Sequence, residues 1–173
     1  SRHMLFTELT DDEFIEVAET HVEALNQALD GIDPAKVRVH ICWGNYEGPH
    51  VCDIDMDTVF PTLMKVGARH ILFETSNPRH AHEWAVFRDR QSEVPDDKVL
   101  VPGVVDTTTN FVEHPELVAE RVTRFVNIFG ADRVIAGSDC GCGTFAGFGA
   151  VDPEIAWAKL ATLSEGARRA GGA

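Results

Sequence analysis

Two hydrophobic periods alternate along the chain. Residues 13–29 place apolar side chains every three to four positions, which predicts an amphipathic helix, and Thr10 and Glu13 have the spacing of a capping box at its start. Four short apolar runs follow, each with a helical pattern behind it, and these runs predict strands. The predicted strands cover residues 37–42, 70–74, 99–106 and 134–138, and the predicted helices between and after them cover 55–66, 79–88, 114–129 and 152–169.

Strands that alternate with helices predict βαβ units and a parallel sheet. We expect one domain over residues 4–173, because no linker rich in proline or serine and no low-complexity run divides the chain. Residues 1–3 precede Met4 and have the character of a cloning scar, so they are left out of the predicted fold. The expected architecture is an α/β domain with four βα units behind an opening helix.

The alternation of side chains along the first predicted strand indicates which face carries chemistry. Val37, Val39 and Ile41 share one face, and His40 and Cys42 share the other. Aliphatic side chains should pack against helices, so the other face should point toward a barrel axis or crevice. In parallel α/β folds the functional crevice lies at the carboxyl ends of the strands. The ends of the other three predicted strands bring further polar side chains to the same rim: Glu74, Asp106 and Cys140.

Composition and charge exclude several classes of protein. The chain has 173 residues, enough for a domain with a real core, and it contains neither a bilayer-length apolar run nor a visible secretory signal. We therefore expect a cytoplasmic protein without a membrane partner. The net charge of −13 argues against binding to nucleic acid, which requires clustered Lys and Arg. The four cysteines are expected to be reduced thiols or metal ligands.

His40 and Cys42 are a weak signal by themselves, because a core histidine beside a buried free thiol is the commoner arrangement. Strand parity and the distant Cys140, which precedes Gly141 at a turn, favour metal binding. Glu74 ends an apolar strand and should not be buried alone. We expect it either to coordinate a metal or to pair with an arginine such as Arg79.

Two aspartates are further candidates for site residues. Asp106 is interpreted either as a catalytic group at the rim or as a cap for the turn over residues 107–110. Asp139 is interpreted as a catalytic-site residue that orients a metal ligand and does not bind the metal itself. Other thiols and imidazoles are interpreted as loop or surface groups: Cys52, Cys142, His80 and His82.

The predicted donors are imidazole nitrogen, thiolate sulfur and carboxylate oxygen, a set that Zn²⁺ accepts. A zinc ion with thiolate ligands and an exchangeable position can bind a substrate thiol, lower its pKa and hold the thiolate ready to attack carbon. The alternative chemistry is hydrolysis by a bound water. Thiolate ligands leave less positive charge on the metal, and this favours thiol alkylation.

The segments around these candidates resemble the cobalamin-independent methionine synthase superfamily, through residues 40–42, 73–76, 102–106 and 138–141. The resemblance implies an α/β domain that is a parallel (βα)4 half of a TIM-type (β/α)8 barrel, similar to the C-terminal half of the family's catalytic barrel. It also implies zinc held by His40, Cys42, Cys140 and Glu74, a small-molecule thiol, and an alkyl or methyl donor. Residues 42–50 are similar to the branch that contains epoxyalkane:coenzyme M transferase, in which Glu74 would lie outside the ligand set.

Two features separate this chain from the methionine synthases proper. Their third strand ends in Asp-x-His, whereas Asp106 is followed by Thr107 and Thr108, which argues against methionine synthesis itself. Four strands also leave two open edges, so we expect either a homodimer that resembles a closed barrel or a missing N-terminal half. The expected function is zinc-dependent thiol alkyl or methyl transfer. The alternatives are a non-catalytic or truncated metal-binding half-barrel and, third, a metal-dependent hydrolase.

Overall fold

Four parallel strands form the sheet of this domain. The computed structural model describes residues 2–143, 146–147, 149 and 151–171. The strands are β1 (Arg38–Ile41), β2 (His70–Phe73), β3 (Val99–Val105) and β4 (Gly137–Ser138). Their order in the sheet is β1-β2-β3-β4, and every neighbouring pair is parallel. The predicted parallel sheet built from successive βα units is confirmed.

Helices precede, connect and follow the strands. They are α1 (Arg2–Leu5), α2 (Asp11–Ala28), α3 (Met56–Met64), α4 (Trp84–Asp89), α5 (Pro115–Phe129) and α6 (Pro153–Ala170). Within the described ranges, no helix is long and apolar enough to cross a membrane. Ser1 and residues 172–173 lie outside the described residues, and the origin of residues 1–3 stays a prediction.

The main hydrophobic core lies between the sheet and the helices that follow it. Phe73 of β2 is fully buried and stacks on Phe87 of α4 with ring centroids 4.3 Å apart. Val39 and Ile41 of β1 pack against the same core, whereas His40 is exposed. The predicted division of β1 into an aliphatic and a polar face is therefore confirmed, and the polar face is turned away from the helices.

Local capping signals set the ends of the longer helices. Thr10 Oγ1 accepts a hydrogen bond from Glu13 N, and Glu13 Oε2 accepts one from Thr10 N, so the predicted capping box of α2 is present. At the start of α6 the Asp152 carboxylate accepts a hydrogen bond from Glu154 N. Gly130 ends α5 with φ +83°, a conformation that glycine adopts without steric cost.

Two elements are shorter than their sequence patterns predict. The helix expected over residues 79–88 begins only at Trp84, because Asn77 O accepts the backbone N–H groups of His80 and Ala81 in tight turns. The strand expected over residues 134–138 is reduced to β4, with an isolated pairing between Val134 and β3. The register between β3 and β4 shifts, and this interrupts the ladder.

The sheet has two edges, β1 and β4, and no further strand of the described residues pairs with either. The four βα units thus form half of a barrel, as predicted. Large apolar side chains are exposed just before β4 and on α6: Ile135 (38%), Trp157 (73%) and Leu160 (46%). That a second copy or an N-terminal half covers the open edges stays a prediction.

Candidate metal centre

Three metal donors meet at the carboxyl ends of the two edge strands. His40 lies on β1, Cys42 follows β1, and Cys140 follows β4. The distance from His40 Nε2 to Cys140 Sγ is 3.3 Å, and the distance between the two Sγ atoms is 3.6 Å. The donor atoms of all three side chains lie within 4.8 Å of one another. The sequence-predicted trio is therefore brought together, although its members come from opposite edges of the sheet.

These separations fit a tetrahedral zinc site. Zn–S bonds of about 2.3 Å and Zn–N bonds of about 2.0 Å, at tetrahedral angles, place two sulfurs about 3.8 Å apart and a nitrogen and a sulfur about 3.5 Å apart. The distances between the donor atoms of His40, Cys42 and Cys140 that are given above come within about 0.2 Å of these values. Three protein ligands with a fourth, exchangeable position are typical of catalytic zinc. The residues present therefore fit this metal.

Glu74 lies beside the trio and is not part of the group of mutually close donors. Its carboxylate is buried, with Oε1 accepting a hydrogen bond from Trp43 N at 3.0 Å and Oε2 accepting one from Asn77 Nδ2 at 2.9 Å. Burial raises the pKa of Glu74. Arg79, the predicted alternative partner, forms an ion pair with Asp53 instead. Glu74 thus ties the turn after β1 to the turn after β2, and its role as a zinc ligand stays a prediction.

Asp139 anchors the turn after β2. Its carboxylate is 2% exposed and accepts the backbone N–H groups of Thr75, Ser76 and Asn77 at 3.0, 2.9 and 2.8 Å. Burial raises the pKa of Asp139, and these hydrogen bonds oppose the rise. Because Asp139 directly precedes Cys140, the same carboxylate fixes that thiol relative to β2. This geometry suits a residue that orients a metal ligand.

Asp106 uses both carboxylate oxygens within its own loop. Oδ1 accepts hydrogen bonds from the backbone N–H and the hydroxyl of Thr108, both at 2.9 Å, and Oδ2 accepts one from the Thr109 hydroxyl at 3.1 Å. This is the capping arrangement that was the alternative to a catalytic role. Asp106 also borders the cavity beside the metal centre, so the turn that it caps forms part of the cavity wall.

The two thiols of the trio share a contact that separates their pKa values. Hydrogen bonds with Cys42 and His40 lower the pKa of Cys140 to about 4, whereas the contact with Cys140 raises the pKa of Cys42. The hydrogen bond with Cys140 also raises the pKa of His40. These contacts therefore favour the thiolate form of Cys140, the state that a metal ligand requires.

A cavity of about 240 Å³ adjoins the centre. Its walls come from the loops after β1, β2 and β3 and include Tyr46, Asn77, Arg79 and Thr108. Glu74 and Asp139 also line it. Pockets for drug-sized ligands span about 300–1,000 Å³, so this cavity suits a smaller molecule.

The surface interpretation of His80 is wrong. This residue is 3% exposed, with Nδ1 2.8 Å from Glu83 Oε2, Nε2 3.4 Å from Asp53 Oδ2, and its ring 4.4 Å from that of Trp43. Burial lowers the pKa of His80, but hydrogen bonds to Asp53 and Glu83 outweigh it and raise the pKa to about 9. The Arg79 guanidinium lies 2.8 Å from the same Nε2 and, as a cation, opposes a proton there. The i,i+3 spacing of His80 and Glu83 is a sequence signal for their contact. The contact between His80 and Asp53 has no such signal in the sequence.

A parallel half-barrel whose strand ends hold a His/Cys/Cys centre beside a small cavity defines a barrel-type α/β domain with a metal-competent site. The chain belongs to the cobalamin-independent synthase family, whose catalytic-domain model matches residues 34–153. The matched region contains all three donors. The family resemblance carried by the sequence segments is thus confirmed.

Known relatives are similar over most of this chain but are much longer. A 2-hydroxypropyl-CoM lyase from Xanthobacter autotrophicus is 25% identical, covering 69% of this chain and 38% of the relative. A methionine synthase from Saccharolobus solfataricus is 27% identical, covering 85% of this chain and 38% of the relative. The structure of a B12-independent methionine synthase from Shewanella sp. W3-18-1, in complex with selenomethionine, matches with a TM-score of 0.71 at 22% identity, over 94% of this chain and 46% of that chain. The last likeness confirms the fold, and the chain spans less than half the length of these relatives.

Proposed function

We propose that this domain is a zinc-dependent thiol alkyltransferase or methyltransferase. The observation that carries the proposal is the convergence of His40, Cys42 and Cys140 with separations that fit tetrahedral zinc. Zinc bound there would lower the pKa of a substrate thiol and keep it as the nucleophilic thiolate. The proposed substrates are a small-molecule thiol and an alkyl or methyl donor, in keeping with the names of the relatives.

The chain's own residues hold and arrange this site. His40, Cys42 and Cys140 are the proposed ligands, and Glu74 is the proposed fourth ligand or a group directly behind the ligands. Asp139 fixes the turn that carries Cys140. Asp106 holds the Thr108 and Thr109 hydroxyls at the cavity, where they would contact a bound substrate.

Two other functions remain as alternatives. A non-catalytic or truncated metal-binding half-barrel is favoured by the coverage of less than half of the relatives' length. A metal-dependent hydrolase is less favoured, because two thiolates reduce the positive charge that activates water. The proposed location is the cytoplasm, since Cys42 and Cys140 must stay reduced to bind metal and reducing compartments keep thiols in that state.

Closure of the half-barrel is part of the proposal. The open β1 and β4 edges and the exposed Ile135, Trp157 and Leu160 favour either a two-fold homodimer or an N-terminal half as the covering partner. Light scattering at micromolar concentration should give the mass of a dimer. A sharp monomer mass would reject the homodimer.

Metal content tests the site itself. Protein grown with zinc should carry about one zinc per chain by elemental analysis, and His40→Ala and Cys140→Ser should lose it. Cys142→Ser is the matched control, because Cys142 lies two residues away and outside the donor group. A well-folded wild-type preparation without metal, or equal zinc in the two serine variants, would sink the proposal.

Thiol alkylation separates the enzyme from the non-catalytic alternative. The zinc-loaded protein should accelerate the reaction of a simple thiol with a methyl or epoxide electrophile, and Cys140→Ser should not. Zinc binding without any acceleration would favour the non-catalytic half-barrel. Hydrolysis of an activated ester by the zinc-loaded protein, with no thiol alkylation, would favour the hydrolase.

A further inference from the structure

The sheet alone does not set the distance between the two thiols of the metal centre. Cys42 follows β1 and Cys140 follows β4, and these strands lie at opposite edges of the sheet. β1 and β4 do not pair directly with each other, because β2 and β3 lie between them. Yet the two Sγ atoms are 3.6 Å apart. Contacts between the loops that carry the two cysteines therefore help to set this separation of the sulfur atoms.

Asn45 makes such contacts with two other loops. Its Nδ2 donates a hydrogen bond to Gly141 O at 2.7 Å, directly after Cys140, and its Oδ1 accepts one from the Thr107 hydroxyl at 2.7 Å. Asn45 itself follows Gly44, whose N–H donates to Cys42 Sγ at 3.2 Å. One side-chain amide thus joins the loop after β1 to the loops after β3 and β4.

The chemistry of these partners requires an amide at position 45. A backbone carbonyl can only accept, so Gly141 O fixes Nδ2 on its side and leaves Oδ1 for the Thr107 hydroxyl. An aspartate would place a carboxylate oxygen against Gly141 O, and two acceptors repel each other. An alanine would remove both contacts and leave the buried Thr107 without this acceptor.

We propose that Asn45 is a positioning residue that holds the two thiol-bearing turns at the separation a metal needs. This inference rests on the metal site of the proposed function. Asn45 does not touch the metal; it acts through the carbonyl after Cys140 and through the turn that begins at Cys42. Outer partners that orient ligands typically affect metal affinity by about 10- to 100-fold.

Cobalt binding to the whole chain tests this role. Co²⁺ alone is titrated into metal-free protein, with affinity measured by chelator competition and thiolate ligation by the charge-transfer absorbance of the loaded site. Asn45→Asp and Asn45→Ala should each weaken Co²⁺ binding by about tenfold or more and change the charge-transfer band. Thr107→Val removes one of the two contacts and should have a smaller effect in the same direction.

Asn110→Asp is the matched control. It makes the same chemical change in the loop after β3, where Asn110 Oδ1 accepts a hydrogen bond from Asp152 N, a contact that aspartate can keep. A role limited to general stability would lower the unfolding temperature of the Asn45 variants but leave the spectrum of the loaded site unchanged, and this result would overturn the inference. Co²⁺ affinity within twofold of the control would overturn it too. Failure of the wild type to bind Co²⁺ would reject the proposed metal site, and the inference with it.

Discussion

Replacement of Gly103 by alanine should disturb both stability and the metal centre. A Cβ added to Gly103 would lie 2.2 Å from Asp139 Oδ1, 2.6 Å from Asp139 Cα and 2.7 Å from Asp139 N. Two of these contacts are to backbone, so no side-chain rotation relieves them, and β4 must move away from β3. The movement pulls the Asp139 carboxylate from the turn after β2 and carries Cys140 with it.

The magnitude follows from the contacts at risk. Overpacking of a tight site costs about 1–3 kcal/mol, and each hydrogen bond lost by a buried charged group costs about 1.5–3 kcal/mol. The Asp139 carboxylate accepts three backbone N–H groups, so we expect Gly103→Ala to lower the free energy of unfolding by about 3 kcal/mol or more. Urea denaturation measures this loss, and a Co²⁺ titration measures the accompanying fall in metal affinity.

Two other glycines separate the effects on stability and on metal binding. Gly141→Ala meets no atom within 4 Å, so it should change stability by less than about 0.5 kcal/mol. Gly166→Ala in α6 places a Cβ 2.4 Å from the Val118 side chain and 2.9 Å from Pro115 O, so it should destabilise the protein with the metal affinity unchanged. If Gly103→Ala were as stable as Gly141→Ala, or bound Co²⁺ like Gly166→Ala, the reasoning would be refuted.

Substitutions at three further sites probe charge and capping. The pKa of His80 is raised from 6.5 to about 9 in the folded protein, so its stabilisation is complete below pH 6.5 and is lost as pH rises toward 9. The free energy of unfolding, measured by urea denaturation, should therefore fall by at most about 3 kcal/mol over that window, and His80→Gln should flatten the profile. An unchanged slope in the His80→Gln variant would contradict the raised pKa. Lys159→Met removes the ion-pair partner of the Glu113 carboxylate and should lower the free energy of unfolding by about 3–5 kcal/mol. The double variant Lys159→Met/Glu113→Gln should recover part of this loss. Simple additivity of the two changes would count against the ion pair. Thr10→Ala should lower the stability measured by thermal unfolding by about 1 kcal/mol, and Thr10→Ser should change it very little. Equal losses of stability in the two variants would argue against the cap.

The parts of the fold that sequence predicts are those governed by local periodicity. Alternation along β1 is a property of adjacent residues, so it predicts the face that carries His40 without reference to any tertiary contact. The capping box of Thr10 and Glu13 is equally local. Cys140 joins the predicted donor set only through a rule of the whole architecture, because the carboxyl ends of parallel strands share one rim.

Contacts between loops have no comparable signal. The bond between Asn45 and Gly141 joins residues 96 positions apart, and that between Asp53 and His80 has neither period nor charge pattern to announce it. A charged or polar residue near a turn reads as solvated until its burial is known. For the same reason the sequence could not decide between coordination and ion pairing for Glu74.

The meeting of side chains from the ends of the first and last strands also has a consequence for the unfolded chain. His40 and Cys140 are 100 residues apart, so a metal held by both closes a loop that contains most of the domain. For a covalent cross-link, closing a loop of about 100 residues removes conformational freedom worth about 4.7 kcal/mol at 25 °C. A bound ion would act as a reversible cross-link of this kind. Metal release would then loosen the outermost strands together, and hydrogen exchange at β1 and β4 should accelerate in step.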